Sequence, residues 1–176
     1  MGASASAGRG CWEQYSSGNA LVRYTRARLD EQPTKLNELC GGNPEALTGP
    51  MVTSAAQEGD QLALDGFAVV GDWLGVGVAN LVAAFDPDVV VIGGGVSAAG
   101  DLLMGPAREA LGRSLVGADH RSVPPVLTAT LGPESGAIGA ADMVRTTVKQ
   151  TGRRAMAVGT RARVRTRAVR GKARRR

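Results

Sequence analysis

The stretch DVVVIGGGVSAAG, from Asp88 to Gly100, restricts the possible folds more than any other. Val89, Val90, Val91 and Ile92 form a continuous β-branched run, the pattern of a strand covered on both faces. Gly93, Gly94 and Gly95 come at once after it, and the residues beyond them read as the start of a helix. A buried strand that turns through glycines into a helix belongs to an α/β architecture. Three glycines let the backbone approach a ligand closely and direct amide groups at it, an arrangement suited to nucleotide phosphate or to sugar and adenine contacts. A tight strand-to-helix turn with no ligand has the same local pattern.

The flanking segments extend this reading. From Asp60 to Phe85, Val70, Leu74, Val78, Leu81, Val82 and Phe85 recur every three or four residues, which predicts a long packed helix ended by Pro87. Gly71, Gly75 and Gly77 each cost about 1 kcal/mol against alanine inside a helix, so their presence predicts the close approach of another backbone. Upstream, CWEQYSSGNALVRYTRARLDE reads as a helix that buries Leu21 and Val22 and exposes Arg23, Arg26 and Arg28, with Pro33 as its stop. Two short helices are expected between Pro33 and Asp60, one starting at Pro44. Downstream, a helix is expected at Asp101 to Val116, a second strand at Val126 to Leu131 and a last helix at Gly136 to Val148. No internal repeat is visible.

Gly93, Gly95 and Ala98 also fit the loose dinucleotide fingerprint G-x-G-x-x-G/A. That motif needs an acidic residue at the end of the next strand, about twenty residues on. Asp119 precedes the expected strand and Glu134 lies beyond it, which counts against a nicotinamide or flavin enzyme. The low aromatic content, 3%, and the wealth of small aliphatic residues favour a helix-rich α/β fold over an all-β one.

The formal charge of +5 conceals two opposite segments. Residues 151–176 hold eleven Lys or Arg and no acid, leaving the first 150 residues at −6. The tail alternates arginine with small residues and lacks the apolar surface to fold, so residues 150–176 are expected to be disordered. No uncharged apolar run reaches membrane-spanning length, and no signal-peptide core opens the chain. Cys11 and Cys40 are too few for a disulfide framework. The expectation is a soluble cytoplasmic protein.

Four segments, GRGCWEQYSSGNALVR, AAQEGD, FDPDVVVIGGGVS and LGPESGAIGAA, together resemble the ROK sugar kinases and repressors, most closely the actinobacterial glucokinases. The resemblance runs from Ser4 to Val148 in the family's order and spacing. It implies the later part of an actin-like, ribonuclease H-like ATPase fold, in which two α/β domains close over ATP and a hexose. Residues 11–149 would form the α/β domain, and residues 1–10 a flexible remnant of the family's zinc loop.

By the same resemblance Glu13 accepts hydrogen bonds from hydroxyls of glucose or a similar hexose, and Gly93, Gly94 and Gly95 border the adenosine part of ATP. The family's zinc pattern C-x-C-G-x-x-G-C reads here as Ser4, Ser6, Ala7, Gly10 and Cys11, so zinc is expected to be lost, with Cys11 its remnant. His120, the sole histidine, does not occupy the family's ligand position. Neither the D-x-G-G-T phosphate loop nor the Asn-Asp pair with the catalytic aspartate occurs in these 176 residues. Phosphoryl transfer needs positioned phosphates, Mg²⁺ and a placed base, so the chain alone is expected to be inactive and Glu13 is no catalytic base. Three functions are compatible with this pattern: a glucokinase segment completed by a separate N-terminal half, a sugar-responsive binding protein, or a decayed remnant. The tail would grip nucleic acid without sequence choice, and the long helix could pair chains into a homo-oligomer.

Overall fold

A computed structural model describes residues 10–145. The chain divides into two compact units, residues 1–132 and 133–176. The basic tail and the ends expected for the folded body, near residues 10 and 149, adjoin or lie outside the described residues.

The first unit is built around one long helix. After a single 3-10 turn at Trp12–Gln14 come α1 (Gly18–Arg26), α2 (Leu36–Leu39), α3 (Gly49–Gln57) and α4 (Gln61–Phe85), then β1 (Val90–Ile92), α5 (Asp101–Ser114) and β2 (Val126–Thr128). The long helix occupies the residues its periodicity predicts. Asp60 caps its N-terminus by accepting from the Ala63 N–H at 3.0 Å, and Asp86 closes its C-terminus in the left-handed region at φ 46°. Val70, Leu74, Val78 and Val82 are buried as expected, but Leu81 is 45% and Phe85 76% exposed.

The glycines of α4 are sites of close approach. A Cβ at Gly71 would stand 2.8 Å from the Leu103 carbonyl oxygen, and one at Gly75 would meet the Ala107 carbonyl oxygen and lie 2.7 Å from the Leu111 nitrogen. Both contacts are with the α5 backbone, so the two helices touch along their main chains. Gly77 differs: it lies under the Trp12 indole, a side chain. Gly66, which no sequence pattern singles out, makes room for Thr25 and Leu21 of α1. Thr25 is buried because its hydroxyl donates to the Leu21 carbonyl at 3.0 Å.

Upstream of Gly18 the expected single helix is broken. Ser17 adopts an extended backbone and accepts from the Ala20 N–H at 3.1 Å, so it starts α1 afresh. A capping serine competes with helix continuation by satisfying a free amide, and apolar periodicity passes over such a break. Asp60 also ties the polar link to α4: its other oxygen accepts from the Thr34 hydroxyl and the Lys35 N–H, both at 2.8 Å.

β1 and β2 pair in parallel, Val90 with Val126, Val91 with Leu127 and Ile92 with Thr128, with α5 as the crossover. Val90 and Ile92 pack against the core. Their neighbours point the other way: Val91 is 57% and Leu127 50% exposed. The expectation of a strand covered on both faces therefore fails, because the described helices of this unit cover one face of the sheet. Arg108 fixes α5 to the sheet, donating to the Val126 carbonyl at 3.1 Å while pairing with Asp101.

In the second unit the described residues form the helix expected near the end, α6, over 135–145. The remainder of the expected span lies outside the described residues. Arg145 pairs with Asp142 along its surface.

Candidate functional site

The glycine loop leaves β1 through Gly93 and reverses at Gly94, whose φ of 97° with ψ of 171° is a conformation open to glycine alone. Ser97 holds that geometry. Its hydroxyl donates to the Gly94 carbonyl at 2.7 Å and its N–H to the same oxygen at 3.2 Å, and the residue is buried. The chain then forms a five-residue 3-10 helix, Gly95–Ala99, and α5 starts only at Asp101. The helix starts at Asp101 as its apolar spacing predicts, and the residues directly after the glycines, read from the sequence as the start of a helix, form this separate turn. The intervening turn forms because Ser97 closes back on Gly94, and Gly100 at φ 61° is needed before α5 can begin.

Gly95 faces a cleft of about 530 Å³. Val96, Ala98 and Ala99 continue its floor, and the first turn of α1 and one side of α3 form the opposite walls. Gly18 is set against Val96, so that a Cβ there would lie 4.0 Å from the valine Cβ. From α3, Pro50, Thr53, Ser54 and Gln57 recur at the helical repeat and so share the side turned to the cleft. The Thr53 hydroxyl donates to the Gly49 carbonyl at 3.0 Å, while the side chains of Asn19, Ser54 and Gln57 make no hydrogen bond among the described residues. A Cβ at Gly95 would meet nothing within 4 Å. Packing does not require glycine there; room in the cleft does.

Among the described residues no ionisable side chain lines this cleft. Apolar walls with a few unsatisfied neutral amides and hydroxyls suit a flat, uncharged heterocycle with hydrogen-bonding edges. They do not suit a polyphosphate with its Mg²⁺, which asks for carboxylate oxygens and cations. The glycine loop was legible in the sequence, whereas the α1 and α3 walls were not. The S-S-G-N and T-G-P segments mark those two helix starts, but nothing local says that they meet the loop.

Glu13 lies on the 3-10 turn at Trp12–Gln14. It is exposed, has no hydrogen-bond or ion-pair partner among the described residues, and does not line the cleft. A carboxylate so placed keeps all its acceptor capacity for a ligand. The turn itself is anchored: the Trp12 indole N–H donates to the Trp73 carbonyl at 2.8 Å, and Arg23 holds the Gln14 carbonyl.

Cys11 is half-buried just before this turn, and Ser4 and Ser6 lie outside the described residues. Among the described residues no three His, Cys, Asp or Glu side chains gather to hold a metal. A lone thiolate with two serine hydroxyls is the wrong donor set for tetrahedral zinc. His120 sits in a 3-10 turn, Ala118–His120, and is exposed.

The shifted titrations of Asp60 and Lys35 belong to the scaffold. Burial pushes the Asp60 carboxyl up, but hydrogen bonds from the Ala63 and Lys35 amides, the Thr34 hydroxyl and the Leu62 amide outweigh it and hold the group below its ordinary value. Lys35 is raised by its hydrogen bond to Glu58, at 2.9 Å on the surface.

The sequence profile of the ROK family matches residues 4–147. The glucokinase of Streptomyces coelicolor is 41% identical over 140 residues, covering 78% of this chain and 44% of the relative. A ROK family glucokinase from Streptomyces griseus, solved in complex with glucose and AMPPNP, superposes with a TM-score of 0.74 at 41% identity, covering 79% of this chain and 46% of that one. The xylose repressor of Caldicellulosiruptor bescii is 31% identical over 102 residues, covering 58% of this chain and 25% of the repressor. The chain thus spans about half the length of the glucokinases it matches, or less. With its helix-rich α/β build, its parallel strand pair and these matches, the fold is the later part of the actin-like ATPase architecture, and the chain belongs to the ROK family.

Proposed function

We propose that this chain carries the adenosine-facing and sugar-facing walls of an ATP-dependent glucokinase, whose reaction moves the γ-phosphoryl group of ATP to glucose to give glucose 6-phosphate. The observation that supports it best is the glycine loop opening on an uncharged cleft, in a chain 41% identical to a glucokinase solved with glucose and AMPPNP. Gly93, Gly94 and Gly95 border the adenosine, with Gly94 supplying the reversal and Gly95 the clearance. Glu13 accepts from sugar hydroxyls and so orients the hexose. Folding proceeds without zinc, since Cys11 has no thiolate companions. The setting is cytoplasmic.

These residues bind and orient; none takes the proton from the sugar. With neither D-x-G-G-T nor an Asn-Asp pair in the 176 residues, the phosphate grip, the Mg²⁺ ligands and the base come from a segment that carries those motifs. The chain by itself binds nucleotide and hexose weakly and does not turn over. Co-expression with a phosphate-loop segment of a related glucokinase should restore glucose-dependent ADP release, and Glu13→Gln should then raise KM for glucose at least about tenfold. Turnover by the pure chain alone, or a Glu13→Gln variant with unchanged KM, would refute these assignments.

The identity to a xylose repressor supports a second reading, in which the same fold serves sugar-responsive binding. The arginine-rich segment at 151–176 by itself would hold nucleic acid only through phosphates, with steep salt dependence and no sequence preference, so a repressor has to add sequence choice to that grip. Filter binding at several salt concentrations decides: a site bound well above random DNA at physiological salt favours the repressor reading, and equal affinity for all sequences rejects it.

A further inference from the structure

Glu13 stands in the middle of a three-residue 3-10 turn, Trp12–Gln14. Within it the Gln14 N–H donates to the Cys11 carbonyl and the Tyr15 N–H to the Trp12 carbonyl, both at 2.9 Å. Turns of this kind are short and their hydrogen bonds poorly aligned, which is too little to hold a carboxylate to the roughly 0.5 Å that selective ligand contact requires. The hold comes from outside the turn. Before Glu13, Trp12 donates its indole N–H to the Trp73 carbonyl at 2.8 Å and lays its ring on Gly77. After it, the Arg23 guanidinium grips Gln14 twice, at the main-chain carbonyl and at the side-chain Oε1. Farther on, the Tyr15 ring stands 4.9 Å from the Trp73 ring, and the Ser16 hydroxyl donates to the Val70 carbonyl at 3.4 Å. Val70, Trp73 and Gly77 share one side of α4, so the whole turn is fastened along that helix.

Core packing does not account for this arrangement. Trp12 remains 37% exposed and lies outside the buried core cluster. A glycine inside a helix is less stable than an alanine; at Gly71 and Gly75 the main-chain contact with α5 offsets that loss, whereas Gly77 only makes a seat for one half-exposed ring. What the seat fixes is the residue next to the ring. The Glu13 carboxylate has no partner of its own among the described residues, so its direction is set through the neighbours on either side.

We infer that Trp12, seated on Gly77 and bonded to the Trp73 carbonyl, is a positioning residue for the hexose, acting through Glu13 by fixing the turn from which that carboxylate meets the sugar. The inference rests on the sugar-facing role proposed for Glu13. The two tryptophans of the chain are Trp12 and Trp73, so a glucose titration of the full 176-residue chain can be followed by tryptophan fluorescence. The wild type should give a saturable change. Gly77→Ala pushes the indole off its seat and should weaken glucose binding at least about tenfold, while the urea midpoint stays level or rises because the helix gains an alanine. Gly112→Ala brings the same helix gain with nothing within 4 Å of the new Cβ, and should leave glucose affinity unchanged. Trp12→Phe keeps a ring over Gly77 but cannot donate to Trp73; it should weaken binding about threefold, and should add no further loss in the Gly77→Ala background. A role confined to stability would instead move the urea midpoint and leave affinity alone, which overturns the inference. If Glu13→Gln weakens glucose binding while Gly77→Ala and Trp12→Phe do not, Trp12 positions nothing and the reading of Glu13 stands. If Glu13→Gln binds glucose as the wild type does, that reading falls and the inference with it. A wild type without a saturable change also overturns the inference, since a sugar held by Glu13 lies beside Trp12, and it leaves the sugar role to the KM test above.

Discussion

Replacing Gly75 by alanine probes the contact on which the first unit depends. The new Cβ would meet the Ala107 carbonyl oxygen, stand 2.5 Å from the Ala110 Cβ and lie 2.7 Å from the Leu111 nitrogen. Two of these are backbone atoms, which have no rotamer through which to yield, so α5 must retreat by about 1 Å. A gap of that size forfeits a quarter to a half of each van der Waals contact that Leu103, Ala107 and Leu111 make with α4. Overpacking costs about 1 to 3 kcal/mol, and the rigid neighbours place this case near the top. Alanine returns about 1 kcal/mol of helix propensity, leaving a net loss of about 2 kcal/mol. Gly112, inside α5, supplies the control, since a Cβ there meets nothing within 4 Å. Gly112→Ala should therefore stabilise by about 0.5 to 1 kcal/mol. Urea unfolding monitored by far-ultraviolet circular dichroism, at one protein concentration, should move the two midpoints in opposite directions, by about 1 M for Gly75→Ala. If the two variants shift together, within about 0.5 kcal/mol of each other, the main-chain contact between α4 and α5 is wrong.

Three other outcomes are expected from the same structure. Asp60→Asn places an amide NH₂ against the Thr34 hydroxyl and the Lys35 N–H and should cost about 2 to 3 kcal/mol. Because the Asp60 carboxyl is held below its ordinary value of 3.8, its contribution is complete above that pH and is lost as pH falls through the lower folded value; acid titration of stability should show this component in the wild type and not in Asp60→Asn. Gly94→Ala forces alanine to φ 97° and should cost about 1 to 3 kcal/mol, while Ser97→Ala should weaken nucleotide binding through the freed loop with a smaller loss of stability. Trp12→Ala removes the indole from Gly77 and the hydrogen bond to Trp73, and should speed amide hydrogen exchange at Glu13 and Gln14 with little change at Ala63.

The extent to which the sequence foretells this structure varies with the range of the signal. The long helix is legible from Asp60 to Phe85 because its cap, its apolar repeat and Pro87 are all local. The tight contacts at Gly71 and Gly75 are legible too, since a glycine in a helix costs stability unless something needs the space. Gly77 is half legible: the close neighbour exists, but it is the Trp12 indole, 65 residues away in sequence. The helix break before Gly18 is hidden because Ser17 caps without disturbing the spacing of Leu21 and Val22. The β-branched run promises two covered faces, yet composition does not say which elements do the covering. The glycine loop is identifiable as a strand-to-helix turn that leaves room beside it, but the wall formed by Pro50, Ser54 and Gln57 carries no local mark of its partner. Glu13 comes to light through the family resemblance alone, an exposed carboxylate on a short turn having no other distinguishing mark.

The central claim is that Gly95 gives clearance to a bound nucleoside, and one binding measurement tests it directly. Gly95→Val should fold normally, because the added side chain points into open space and the backbone there is not left-handed. Calorimetric titration of the 176-residue chain with a non-hydrolysable ATP analogue should show binding by the wild type and at least a tenfold weaker affinity in Gly95→Val, with the urea midpoint unchanged. Equal affinity in the two proteins, or no binding by the wild type at millimolar analogue, would contradict the account.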